Sequence, residues 1–165
     1  MTLTPQEKLK YYKNKELADQ LILQDATRDG HIIHGAKASN AQLPQHLKKH
    51  TEDFDIFTKQ SKKEAEQMEK KLDKAFGGDY FRVEKAEHKG TYKVKSNVTG
   101  RTVADYTSQG KKPSYKNILG TKYARLSAIK RKIGKTLRDE KQAFRHDKDR
   151  EMLQRIKLNK ESLDW

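Results

Sequence analysis

Asp53 and Asp55 stand one residue apart in a stretch, Asp53 to Thr58, whose residues alternate in character. In an extended strand that alternation puts Asp53, Asp55 and Phe57 on one face and Phe54 and Ile56 on the other. Strands that enter a core avoid carboxylates, because burying an unpaired charge is costly. Two acids sharing a face repel unless a cation lies between them. An oxygen-rich site of this kind suits Mg²⁺ (or Mn²⁺), which takes one or two protein carboxylates, waters and substrate phosphates. A third acid, Asp105, interrupts the apolar alternation of Val103-Ala104-Asp105-Tyr106. Brought in from a neighbouring strand, it would let two ions sit about 4 Å apart and clamp an in-line phosphoryl displacement. A solvated edge strand is the alternative account of a bare Asp-x-Asp.

The residues upstream of the acid pair bear on that choice. His31-Ile32-Ile33-His34 reads as a short strand ending in Gly35, and Ala36 to Leu43 as a helical turn or two before Pro44. A glycine there lets backbone N–H groups approach a phosphate, and the helix N-terminus behind it favours anions. Together, His34-Gly35-Ala36-Lys37-Ala38, Asp53-Phe54-Asp55-Ile56 and Val103-Ala104-Asp105 resemble the motifs of the polymerase-beta-like nucleotidyltransferase superfamily. Those motifs are a strand, a Gly followed by Gly or Ser, a helix, an Asp-x-Asp strand and a third Asp on a later strand. The resemblance covers about residues 31 to 107.

The resemblance implies a minimal nucleotidyltransferase fold of α+β class, a small mixed sheet packed by helices. It implies that Asp53 and Asp55 ligate the metal carrying a triphosphate. Asp105 would join them at the metal that activates the acceptor hydroxyl, as or beside the general base. Gly35 and Ala36 would shape the turn near the nucleotide phosphates. Ala36 departs from the family's Gly or Ser, which keeps the backbone contact but removes a serine hydroxyl. Lys37 is the candidate phosphate-binding cation in compensation, with an ordinary exposed helix lysine as the alternative. In poly(A)-polymerase-like relatives a lysine and nearby hydroxyls after the core contact the triphosphate. Lys122 and Tyr123, in Gly120-Thr121-Lys122-Tyr123, are the candidates here, although they also read as an ordinary helix start.

The elements that must position these residues have legible ends. Thr4, Pro5 and Glu7 form an N-terminal capping pattern, with Leu9, Tyr12, Leu17 and Leu21 near one face and Asp29-Gly30 as a stop. Ser61 and Glu64 predict a second capping box, followed by Ala65, Met68, Leu72 and Phe76 at helical spacing and a stop at Gly77-Gly78. Strand-like runs cover Tyr80 to Val83, Thr91 to Lys95 and Thr102 to Thr107. From about Thr121 onward the chain reads as mostly helical, with Leu126, Ile129, Ile133, Leu137 and Phe144 as its apolar stripe. The predicted organisation is an N-terminal helix over 1–30, a catalytic core over 31–110 and a basic helical segment over 111–165 of the same domain, an α+β layout.

Composition bounds the partners. Of 165 residues, 33% are hydrophobic and 36% charged, enough for one modest core. No apolar run is long enough to span a bilayer, the first residues resemble no signal peptide, and there is no cysteine for a disulfide or thiolate site. These features predict no membrane partner and a cytoplasmic location, in a host cytoplasm or a virion if the source is viral. The formal charge of +14 favours a polyanionic partner. Lys111, Lys112 and Lys116 interleave with Tyr115, and Arg125, Lys130, Arg131 and Lys132 continue into the basic helix. This pattern holds single strands through charge and stacking. His46 and His50 have i, i+4 spacing, but Pro44 and the missing Glu argue against a zinc-protease helix. The function expected is transfer of NMP from an NTP, ATP first, to an RNA or other nucleic-acid 3′ hydroxyl with release of pyrophosphate. Two alternatives stay open: a toxin-like enzyme modifying tRNA or protein, and a basic nucleic-acid-binding or virion-associated protein with non-catalytic acids.

Overall fold

The computed structural model describes residues 2–163. Helix α1 (Pro5–Lys13) starts as its sequence dictates. Thr4 Oγ1 accepts from the Glu7 N–H at 3.2 Å and the Glu7 carboxylate accepts from the Thr4 N–H at 3.0 Å, with Pro5 in the first turn. The single N-terminal helix expected from sequence is in fact two. Asn14, at φ −113° and ψ 18°, interrupts it, its side-chain amide donating to the Lys10 carbonyl at 2.9 Å, and α2 (Lys15–Asp29) follows. The break lets Tyr11 into the core against Phe76 and Phe81, while Leu9 and Tyr12 stay exposed instead of joining one apolar face.

The strands are β1 (Ile32–His34), β2 (Phe54–Phe57), β3 (Phe81–Lys85), β4 (Thr91–Ser96), β5 (Thr102–Thr107), β6 (Tyr115–Ile118) and β7 (Thr121–Ala124). They form one mixed sheet of order β3-β4-β5-β2-β1-β7-β6, with β2–β5 and β1–β7 parallel and the other pairs antiparallel. Ile33, Ile56, Val94, Ala104 and Tyr106 fall on one face by register and are buried. Helix α4 (Ser61–Phe76) covers that face across β3, β4 and β5 with Ala65, Met68, Leu72 and Phe76, and it stops at Gly77 with φ +81°. His34, Asp55 and Asp105 fall on the other face. The fold is α+β.

Two sequence expectations fail here for local reasons. Ser61 does not cap α4: it lies inside the helix and its hydroxyl donates to the Gly90 carbonyl at 2.7 Å, so no capping box forms. Residues 115–124 are a hairpin rather than the start of a helix. Its two turn residues, Leu119 and Gly120, both take positive φ (51° and 87°), the backbone of a tight primed turn. The helical stripe begins only at α5 (Leu126–Leu137), where Ile129 and Ile133 are buried. Phe144 is not on that stripe. It lies past the helix end in the 3₁₀ segment Glu140–Arg145 and is 80% exposed. Helix α6 (His146–Leu163) then packs back on α5, burying Met152 and Ile156, and α3 (Gly35–Gln42) bridges β1 to the rest. Among the described residues no helix is long and apolar enough to cross a membrane.

One half-buried carboxyl holds the entry to β3. Asp73 Oδ1 accepts from the N–H groups of Tyr80 and Phe81 at 3.0 and 2.9 Å, and burial pushes its pKa up to about 6. Asp73→Ala removes the acceptor of the Phe81 N–H and leaves the Tyr80 N–H only its bond to the Gly78 carbonyl at 3.0 Å, which is expected to cost roughly 1–2 kcal/mol in denaturant unfolding. Asp73→Asn keeps the acceptor oxygen without the charge, so it should match or exceed the wild type at pH 7. A loss with Asn equal to that with Ala would refute the hydrogen-bond account.

Candidate active site

The sheet topology brings the three acids together. β2 and β5 run parallel with Asp55 directly beside Asp105, while β1 runs antiparallel to β2 and sets His34 opposite Asp55. Asp53 sits just before β2, two residues up the same face, where the Thr51 hydroxyl donates to it at 3.4 Å. One carboxylate oxygen from each of Asp53, Asp55 and Asp105 lies within 4.8 Å of the others. Burial, then the negative charges of Asp53 and Asp105, raises the Asp55 pKa, with Lys132 and Arg145 opposing. Burial raises Asp105 as well, against the Lys93 ammonium 4.0 Å away. His34 is held neutral: burial, then the charge of Lys132, lowers its pKa to about 3.

These residues fit a divalent cation. Asp105 Oδ1 is buried with no hydrogen-bond partner among the described residues, and burial beside other carboxylates raises the pKa of both Asp55 and Asp105. The donor set is all oxygen, which favours Mg²⁺ or Mn²⁺ over softer metals.

Gly35 is what allows Asp55 to lie where it does. Its φ is +65°, and a Cβ built on it would fall on the Asp55 carboxylate. The turn from β1 into α3 therefore closes over the acid with no side chain between them.

The acids form the floor of a cleft of about 1220 Å³ with basic walls. Of the residues singled out by sequence, Asp53, Asp55, Asp105, Gly35, Ala36, Lys111, Lys112, Arg131 and Lys132 line it. Lys37, Lys122 and Tyr123 do not. The Lys37 ammonium lies 4.7 Å from the centre of the Phe54 ring, on the side of β2 away from Asp55. Lys122 pairs with Ile32, two residues short of the acidic end, and its ammonium rests 5.0 Å from the Tyr115 ring. Tyr123 pairs with Ile33 on the helix-covered face. Because 121–124 is a strand, its side chains alternate between faces instead of presenting one helical edge to a phosphate. Lys116, Arg125 and Lys130 are exposed and outside the cleft.

Sequence reasoning missed Lys49, Lys93, Arg101, Arg145 and Lys148 as cleft residues. Lys135 was legible only as part of the basic helix. It sits four and three residues beyond Arg131 and Lys132, so helical spacing alone puts all three on one wall. The others come from separate segments, and no local pattern marks them.

The fold has a counterpart among solved structures. The Megavirus polyadenylate synthase matches with a TM-score of 0.69 at 16% sequence identity, over 89% of this chain and 32% of that one. The chain thus shares the fold of part of that synthase. The chain spans about a third of the length of that synthase. No family model matches the sequence, and no curated protein does. In this fold the three acids and the basic walls above them belong to the same cleft.

Proposed function

We propose that this chain is a metal-dependent nucleotidyltransferase that moves NMP from an NTP to a nucleic-acid 3′ hydroxyl, releasing pyrophosphate. The observation that carries the reading is the parallel pairing of Asp55 with Asp105, with Asp53 beside them, at the floor of a basic cleft. Asp53, Asp55 and Asp105 would hold the divalent ion. Mg²⁺ or Mn²⁺ in such a site neutralises phosphate charge and lowers the pKa of a bound hydroxyl. The attacking 3′ oxygen bonds to the α-phosphorus as the bond to the β-phosphate oxygen breaks. Asp105 Oδ1, which accepts no hydrogen bond from the described residues and has the Lys93 ammonium 4.0 Å away, would accept the hydroxyl proton. Lys132 and Arg145, both close enough to act on Asp55, set positive charge where the departing pyrophosphate gains negative charge. Uncharged His34, opposite Asp55, adds no positive charge that would repel a cation from the site. ATP is the first NTP to try and RNA the first acceptor, as in a polyadenylate synthase.

The experiment incubates the protein with Mg²⁺ or Mn²⁺, each labelled NTP, and a short RNA, a DNA or bulk tRNA. Extension that disappears in Asp53→Ala and Asp55→Ala supports the reading. If wild type and variants are equally inert but bind RNA alike, a basic binding protein is the better description. Labelled tRNA or protein without extension of the short strands points to a modifying enzyme.

The cleft walls make a separate prediction. Arg131→Ala with Lys132→Ala removes two neighbouring cations from α5. The slope of log affinity against log salt for single-stranded RNA should become shallower by roughly 1.4. Fluorescence anisotropy measures it, and Lys116→Ala with Lys130→Ala is the comparison, since both lie outside the cleft. Equal flattening by both pairs would mean the strand does not run through the cleft.

A further inference from the structure

A second group of ionisable side chains converges at the opposite end of the sheet. Asp25 and Asp29 near the C-terminus of α2, His31 just before β1 and Glu64 in the first turn of α4 each offer a ligand atom within 4.8 Å of the rest. The register places this group far from the acids of the cleft: Ile32, next to His31, pairs with Phe57, whereas Asp55 pairs with His34.

Part of the group is already neutralised. Asp25 Oδ1 accepts from Arg28 at 2.6 Å and from Lys71 at 3.0 Å, and both Asp29 oxygens accept from Arg28. Three carboxylates thus face two cations. Among the described residues Glu64 ion-pairs with His31 Nε2, at 3.9 Å, too long for a hydrogen bond.

Two buried polar atoms beside the group have no hydrogen-bond partner: His31 Nδ1 and the Tyr106 hydroxyl. Tyr106 is 0% exposed and lies on the sheet face that α4 covers, and α2 contacts the same strand, so its side chain is enclosed by the two helices that carry Asp25, Asp29 and Glu64. Buried polar groups are nearly always satisfied, so unpaired atoms around a residual negative charge point to a ligand that supplies both charge and a hydrogen-bonding shell.

One imidazole with carboxylates and no thiolate is the donor set of a borderline divalent transition ion, where an all-oxygen set would suit Mg²⁺ or Ca²⁺. The competing cations are on long exposed side chains (Arg28 63%, Lys71 37%) that can swing outward, whereas Asp25 and His31 are held in the wall. We propose that Asp25, Asp29, His31 and Glu64 form a second divalent-cation site, of the Zn²⁺ class, separate from the Asp53-Asp55-Asp105 group. The ion would tie the end of α2, the entry to β1 and the start of α4, with Tyr106 hydrogen-bonded to a ligand or water of its shell. Four protein ligands make a closed, structural site.

The test uses the full chain carrying Asp53→Asn and Asp55→Asn, so that the cleft acids do not contribute, stripped with a chelator. Zn²⁺ is titrated by calorimetry and Co²⁺ by visible absorption. One equivalent should bind, with the d–d bands of a four-coordinate Co²⁺ site. With Zn²⁺ at roughly 100 times its dissociation constant the melting temperature should rise by about 5–10 °C. His31→Asn and Glu64→Gln should abolish both signals, and His50→Ala, an exposed histidine beside Glu52, should leave them unchanged. A second measurement needs no further variant: among the six histidines, Zn²⁺ should shift the ring ¹⁵N resonances of His31 first. No bound Zn²⁺, equal binding in His31→Asn, or an unmoved His31 ring overturns the site and leaves a water-filled ion-pair cluster.

Discussion

Asp55→Asn is expected to cut NMP transfer by about 10³-fold or more while making the metal-free protein more stable at neutral pH. The two effects have one cause. Asp55 is buried against Asp53 and Asp105, so its charged form is disfavoured in the folded chain and its pKa is raised. A carboxyl with a raised folded pKa contributes stability that is fully present below its unfolded value and lost as pH climbs through the folded one. Metal-free wild type should therefore lose melting temperature from the ordinary carboxylate range up toward neutrality. Asn keeps the shape without the charge, which flattens that decline. Adding Mg²⁺ at pH 7 should recover the wild type and do little for the variant, because the ion relieves the same repulsion. Melting curves from pH 4 to 8, with and without Mg²⁺, separate the outcomes. A variant less stable than wild type at pH 7 without metal would sink the like-charge account. Retained transfer would sink the enzymatic one.

The cluster of three acids was legible because its signal is local. An acid every second residue in an alternating strand states its own face, and Asp105 repeats the pattern in β5. What the sequence does not display is that β2 and β5 run parallel in register, the fact that turns two suspicious strands into one acidic floor. The same division explains the failures. The strong apolar stripe of α5 drew the predicted helix back over residues 121–124, and a Leu at positive φ gave no conventional warning of a hairpin turn. Ser61 matched a capping pattern, but a tertiary acceptor, the Gly90 carbonyl, took its hydroxyl. Basic walls assembled from loops 49–52 and 110–114, from β4, and from the α5–α6 region have no periodicity to read. Lys37 and Lys122 were chosen by residue type alone, and each lies against an aromatic ring, Phe54 and Tyr115, outside the cleft lining.

Gly35→Ala should lose about 10²-fold in transfer and roughly 1–3 kcal/mol in stability, although it adds a single methyl group. The sequence suggested that this glycine serves a phosphate. The structure gives it a nearer duty, since the space a Cβ would need is filled by the Asp55 carboxylate, and φ is +65°. An L-residue in that conformation costs about 1 kcal/mol before any clash. The rest comes from moving an acid that must stay within reach of Asp53 and Asp105, and displacement by about 1 Å is enough to lose two orders of magnitude. Ala36→Ser, one residue on, should stay within a few-fold of wild type, because its Cβ is already accommodated. A double-mutant cycle then isolates the contact. In an Asp55→Ala background the clash is gone, so Gly35→Ala should retain only the conformational cost of about 1 kcal/mol. If the stability loss is the same in both backgrounds, the glycine answers to its backbone alone. A smaller loss in the second background would mean that Gly35 and Asp55 act as one unit, a glycine held in place by the acid it makes room for.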